Sequence, residues 1–253
     1  MTMPLIVGNW KMNLLTADAV ELALGIKEFV DKITDIRVIL APSFTLLNTI
    51  SHTLLGSKVE LASQNFYFGE KGAYTGEVSL DMIKDAGCKY AIVGHSERRQ
   101  LFGETDEFIN KKILGAMEND ILAILCVGET AMQRKAGDTH KIIESQVNKA
   151  VDGVKNRQLM NIVFAYEPVW AIGTGENATV EQAAEIHGLI RNTVAEKFKG
   201  NEIEPLTILY GGSVAPHNSR EFLQNEEIDG ALVGGASLNI DSFCDIIKSA
   251  QLV

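Results

Sequence analysis

The sequence predicts a single (β/α)8 barrel, an α/β fold of eight parallel strands with outer helices, on three observations. Short apolar, β-branched runs recur about eight times along the 253 residues, and such runs belong to strands buried on both faces. Longer segments with helical spacing lie between them. No long linker or shift in composition divides the chain, so the alternation reads as one domain over residues 1–253, near the length of about 250 residues common for such barrels.

The elements follow in order. LIV at 5–7 opens the series, and 18–30 supplies the first helical spacing. RVIL at 37–40, VELA at 59–62 and YAIV at 90–93 are the next three strands. The helix over 105–118 starts where Thr105 precedes DEF, a hydroxyl able to cap the first turn. ILAILCV at 121–127 is the fifth strand, a helix spans 139–153, and IVFAY at 162–166 is the sixth strand. Thr179 followed by Gln182 is a capping-box signature for a helix over 179–199. LTILY at 206–210 and GALVG at 230–234 complete the strands, and 240–250 is the closing helix. A doubly wound open sheet is the alternative, but it calls for a glycine-rich fingerprint directly after the first strand, where this chain has GNWKMN.

Composition narrows the function. Hydrophobic residues at 46% and charged residues at 22% describe a chain able to bury a large core. The balance of 23 basic against 33 acidic residues, net −10, argues against a nucleic-acid or anionic-membrane partner. A small anionic ligand stays possible, since backbone amides and one lysine create a local positive site. The apolar start MTMPLIVG is too short for a signal peptide and no run reaches bilayer length, so a cytoplasmic location is expected. Cys88, Cys126 and Cys244 form no CxxC pair, and the five histidines show no HExxH spacing, so no metal is expected.

In a barrel, chemistry gathers at the carboxyl ends of the strands, and the unusual residues fall there. Asn9 and Lys11 follow the first run, Gln64 and Asn65 the third, His95 and Glu97 the fourth, and Glu167 the sixth. An acid that continues an apolar strand costs desolvation unless it is paired or sits in a cleft, and a partly desolvated carboxylate has a raised pKa suited to taking a proton from carbon. Cys126 inside ILAILCVG reads as a small packed hydrophobe, and Glu97 with Arg98 as a structural ion pair. YGGSV and VGGAS after the last two strands offer unobstructed backbone amides, the usual place of a phosphate site in barrels. The run from Gly173 to Ala178 satisfies GxGxxA, but it begins six residues beyond Glu167 rather than after a strand, and no GxxxxGK[ST] occurs, so a nucleotide role is discounted.

GNWKMN, GHSERR, LCVGET, AYEPVWAIGTG, YGGSV and LVGGAS, in this order and covering 7–238, resemble the triosephosphate isomerase family. The resemblance implies a TIM barrel, an aldose-ketose isomerase without cofactor, and a phosphorylated triose substrate. It implies that Glu167 shuttles a proton between adjacent carbons and that His95, held neutral if the following helix aims its positive end at the ring, polarises the carbonyl. Lys11 supplies fixed positive charge, Asn9 orients the substrate, and Glu97 organises Lys11. Gly173, Ser213, Gly234 and Gly235 offer amides to the phosphate.

The segment about 168–178 resembles the family's hinged lid: Pro168 and Val169 stiffen one hinge, Trp170, Ala171 and Ile172 form an apolar tip, and Gly173, Thr174 and Gly175 bring amides to the phosphate, with Tyr210 and Ser213 as latch. Residues about 64–79 resemble a loop inserted into a partner subunit, with Thr75 approaching the partner's Asn9 and Lys11, so a homodimer is expected; the alternative is an aromatic loop folded onto its own chain. Ala215 departs from the lysine that relatives often carry. Two competing functions are weaker: a Schiff-base aldolase calls for a lysine in a late strand, absent from the last three runs, and an inactive scaffold barrel has no reason to keep Glu167, His95 and the lid glycines.

Overall fold

A computed structural model describes residues 3–172, 177–201 and 203–251. Eight strands, β1 (Leu5–Asn9), β2 (Arg37–Ala41), β3 (Glu60–Ser63), β4 (Tyr90–Val93), β5 (Leu122–Val127), β6 (Ile162–Tyr166), β7 (Thr207–Tyr210) and β8 (Gly230–Val233), close into a parallel barrel. Pairing runs in sequence order and closes between β1 and β8, where Leu5 opposes Gly230. The α-helices are α1 (Thr16–Val30), α2 (Leu47–Thr53), α3 (Leu80–Asp85), α4 (Ser96–Leu101), α5 (Asp106–Glu118), α6 (Ala131–Lys135), α7 (Thr139–Ala150), α8 (Val180–Lys197), α9 (Ser219–Leu223) and α10 (Ile240–Gln251).

The continuous apolar runs have a simple cause: successive side chains point to opposite faces, and both faces are covered. Val7, Ile39, Ile92, Ile124, Leu209 and Leu232 fill the barrel interior. Their neighbours Ile6, Val38, Leu40, Ala91 and Leu125 face outward against the helices. Each of the Val, Ile and Leu side chains, fully buried, contributes about 1.5–3 kcal/mol, which fixes the register: a slip by one residue exchanges the two layers.

Thr105 and Thr179 cap α5 and α8 as expected, each hydroxyl accepting a backbone N–H, and Gln182 returns a carboxamide oxygen to the Thr179 N–H. Five helices, α2, α3, α4, α6 and α9, have no counterpart in the periodicity. They run 5 to 7 residues, less than the two turns that an amphipathic stripe needs to show itself. Among the described residues no helix is long and apolar enough to cross a membrane.

Candidate active site

The carboxyl ends of the strands surround a cavity of about 360 Å³ lined by Asn9, Lys11, His95, Glu167, Ser213 and Gly234, among others. The volume suits a small ligand. Sequence-distant residues meet here because consecutive strands deliver their ends to one rim.

Asn9 ends β1, and its side-chain oxygen accepts the Lys11 N–H at 3.0 Å. Lys11 has φ of 51°, the left-handed region that non-glycine residues seldom occupy. Gln64 holds it there, donating from Nε2 to the Lys11 carbonyl at 2.7 Å and to the Ala41 carbonyl at 2.8 Å. From that backbone the Lys11 ammonium reaches Glu97 Oε1 at 2.7 Å. Arg98 pairs with Glu104 at 2.6 Å rather than with Glu97, correcting the expected ion pair: consecutive helical residues point to different faces.

His95 caps the start of α4. Its Nδ1 accepts the Glu97 backbone N–H at 3.3 Å, which assigns the proton to Nε2. Nε2 then donates to Glu167 Oε1 at 2.9 Å. Glu167 follows β6 directly, its own N–H bonded to the Val127 carbonyl at 2.8 Å. Ser96 completes the carboxylate's shell, with its N–H at 2.8 Å from Oε2 and its hydroxyl at 3.3 Å from Oε1. Both carboxylate oxygens are occupied, so accepting a proton from carbon requires exchanging these bonds for substrate.

This pairing reverses the expected electrostatics. Burial pushes the Glu167 pKa upward, but the His95 ring, the Ser96 N–H and Lys11 together outweigh it and hold the carboxyl below its ordinary range. For His95, burial pushes the pKa downward, and the adjacent Glu167 carboxylate outweighs it and raises it above its ordinary value. The expectation of a raised acid counted desolvation alone; the contact with His95 was not visible in the sequence. Cys126 is fully buried, and burial beside Glu167 pushes its thiol well up, consistent with a packed hydrophobe.

The glycine loops occupy the other side of the cavity. Asn218 braces the first, donating to the Ser213 carbonyl at 3.1 Å and accepting the Ala215 N–H at 2.8 Å. Gly234 and Gly235 open a short 3-10 turn beyond β8, and the Lys11 side chain passes close to Gly234.

Past Glu167, Pro168 precedes a 3-10 turn over Val169–Ala171. Trp170 Nε1 donates to Glu129 Oε1 at 2.8 Å, and Arg134 stacks 4.2 Å above the Trp170 ring. Glu129 is fully buried, with Arg134 at 3.2 Å and the Tyr166 hydroxyl on both oxygens. Ser213 donates its hydroxyl to the Ala171 carbonyl at 2.8 Å, and Ile172 lines the cavity. Burial pushes the Tyr210 phenol up to about 12, opposed by the Ala178 backbone. Gly173, Thr174 and Gly175 lie outside the described residues. Sequence reasoning missed Ser96, Glu129 and Arg134 as partners; Ser96 and Glu129 stood inside quoted motifs, but nothing local marks what they touch.

Between 64 and 79 the chain folds partly onto itself. Tyr67 stacks on Phe68 at 4.7 Å and lies 4.6 Å from Tyr74, while Thr75 is exposed. A second cavity of about 330 Å³ adjoins Asn9 and Lys11, bordered by Gln64, Phe44, Met12 and Phe102, the last two strongly exposed. Among the described residues no group of three or more His, Cys, Asp or Glu has the arrangement to hold a metal ion.

Comparison with known proteins places this geometry in context. The sequence model of the family described as triosephosphate isomerase matches residues 4–250. A protein of Geotalea uraniireducens named triosephosphate isomerase is 45% identical over 99% of this chain and 100% of its own length. One from Rhodopirellula baltica with the same name is 47% identical over 97% of each chain. One from Caldanaerobacter subterraneus is 45% identical over 98% of this chain and 100% of its own.

Proposed function

The chain belongs to the triosephosphate isomerase family, and on that premise we propose how its residues divide the chemistry. The protein is an isomerase that interconverts D-glyceraldehyde 3-phosphate and dihydroxyacetone phosphate through an enediolate, a step of glycolysis and gluconeogenesis. Its site residues act as follows.

The substrate enters between Glu167 and His95. The Glu167 carboxylate exchanges Ser96 and His95 for the carbon acid, takes a proton from one carbon, and returns it to the adjacent carbon. The electron pair left on carbon becomes the enediolate, whose oxygens receive the His95 Nε2–H and the Lys11 ammonium. His95 passes protons between the two oxygens. Once Glu167 has turned toward carbon, the anion that raises His95 has moved away, and burial together with Lys11 favours the neutral ring. Asn9 orients the substrate and Glu97 orders Lys11.

Amides of Ser213, Gly234, Gly235 and Gly173 take the phosphate, a role that needs no basic surface. The segment about 168–178 closes over the site and excludes water, which keeps the enediolate from losing phosphate before it is reprotonated. Tyr210 and Ser213 act as latch for this lid. The active unit is a homodimer in which the loop about 64–79 enters the partner beside Asn9 and Lys11. The exposed Met12 and Phe102 around the second cavity, and the exposed Thr75, support that reading.

The carrying observation is the Glu167–His95 pair at 2.9 Å facing one cavity with Lys11. The test is conversion of glyceraldehyde 3-phosphate, read through a coupled dehydrogenase, for the parent and Glu167→Gln. The variant is expected to lose about 10²- to 10⁴-fold in kcat while still binding a phosphate analogue. Full turnover in the variant rejects Glu167 as base.

A further inference from the structure

Arg99 follows His95 by four residues and does not line the cavity that holds Glu167 and Lys11. Its guanidinium is nonetheless committed on three sides. Nε donates to the Gly94 carbonyl at 2.8 Å, NH2 to the Cys126 carbonyl at 3.2 Å, and NH1 to Asp106 at 2.7 Å. Asp106 is itself backed by Lys149 at 3.4 Å.

The two carbonyls are the ends of neighbouring strands. The β4–β5 ladder runs to Val93 opposite Leu125, and Gly94 and Cys126 are the next residue on each side. Gly94 leaves the ladder at φ of 72°, turning the chain into His95. A β-carbon there would lie 3.2 Å from Arg99 NH2 and 3.2 Å from the Cys126 carbonyl oxygen, so the glycine also clears room for the guanidinium. Where the backbone stops pairing, the planar fork of Arg99 spans both strand ends, a geometry a lysine cannot reproduce.

What leaves those ends is the reacting pair. His95 follows Gly94 directly, and Glu167 hangs from Val127, the residue after Cys126. The gap between the two strand ends therefore sets the gap between imidazole and carboxylate. We propose that Arg99 is a positioning residue for the isomerisation: by clamping the Gly94 and Cys126 carbonyls it fixes the spacing of His95 and Glu167, with Asp106 orienting the clamp. Ser213, Gly234 and Gly235, three of the four residues whose amides take the phosphate, follow β7 and β8, neither of which adjoins β4, so loosening the clamp disturbs proton transfer and leaves most of the phosphate contacts in place. The proposal rests on the reading of Glu167 and His95 as the catalytic pair.

The experiment compares the parent, Arg99→Lys, Asp106→Asn and Glu167→Gln in the coupled assay, with inorganic phosphate as competitive inhibitor. Misplacement by about 1 Å costs up to about 10²-fold, so Arg99→Lys is expected to lose roughly 10- to 100-fold in kcat, with KM and the phosphate inhibition constant within about twofold of the parent. A kcat within about threefold of the parent overturns the proposal. So does a loss of phosphate affinity in step with kcat, which marks general disorder rather than misplacement. If Arg99→Lys fails to fold, Asp106→Asn decides: a smaller loss confined to kcat supports the clamp, and parent-like kcat overturns it. Turnover surviving in Glu167→Gln rejects the catalytic pair itself, an outcome separate from the behaviour of Arg99→Lys.

Discussion

Glu167 Oε1 lies 2.9 Å from His95 Nε2, and both side chains are buried, so the two groups proposed as base and electrophile rest against each other. A carboxylate at that distance stabilises the imidazolium, and removing the charge lowers the pKa of the ring. In Glu167→Gln, His95 is expected to release its proton at lower pH than in the parent, where it titrates above its ordinary value of about 6.5. Ring nitrogen shifts followed by NMR from acid to neutral pH measure the order; a higher value in the variant contradicts the arrangement.

The same comparison extends to Glu97, whose carboxylate lies 3.6 Å from His95 Nδ1 and adds to the raising. Glu97→Gln is expected to lower His95 by less than Glu167→Gln does. The variant also frees Lys11 from its 2.7 Å contact, so KM for the triose phosphate rises. An unchanged KM removes Glu97 from the ordering of Lys11.

Gly128 packs where a β-carbon would overlap the Glu167 carbonyl oxygen, a backbone atom with no freedom to withdraw. Gly128→Ala is therefore expected to cost about 3 kcal/mol or more and to displace Glu167. Urea unfolding alongside the coupled assay measures both, and a variant matching the parent in stability and turnover refutes the constraint.

His187 is fully buried, bonded through Nδ1 to the Glu227 carbonyl at 3.0 Å, with no partner for Nε2. Burial pushes its pKa down to about 4 from 6.5. Between those values the unfolded chain binds a proton that the folded one refuses, so stability is full above pH about 6.5 and falls as pH drops toward 4. The loss below pH 4 is on the order of 3 kcal/mol from this group. His187→Asn, which keeps a donor near Nδ1 and cannot ionise, is expected to flatten the melting temperature over that window. An unaltered slope assigns the acid sensitivity elsewhere.

The homodimer is tested by equilibrium sedimentation at micromolar concentration. A species of twice the chain mass is expected, and Phe102→Asp, which places a charge on the exposed apolar rim, is expected to shift it toward monomer with loss of turnover. A fully active monomer rejects the assembly.

The sequence by itself determined the barrel and which residues stand at the carboxyl ends of its strands. Apolar runs such as IVFAY state that both faces of β6 are buried, and Thr179 with Gln182 states where α8 begins, because these properties depend on neighbours within a few residues. Position at strand ends likewise marked Asn9, Lys11, His95 and Glu167, and barrel closure brings all four to one cavity. Tertiary structure alone decided how they act on one another. The Ser96 N–H that fixes Glu167 is 71 residues away in the chain, and the Gln64 amide that holds Lys11 is 53 away. The direction of each pKa followed those contacts, and so reversed the expectation drawn from burial. The same holds for Glu129 beneath Trp170 and Arg99 across β4 and β5. A charged side chain looks alike in sequence whether it meets water or a buried carboxylate; the distance across a closed barrel, with the low dielectric inside it, decides which energy wins.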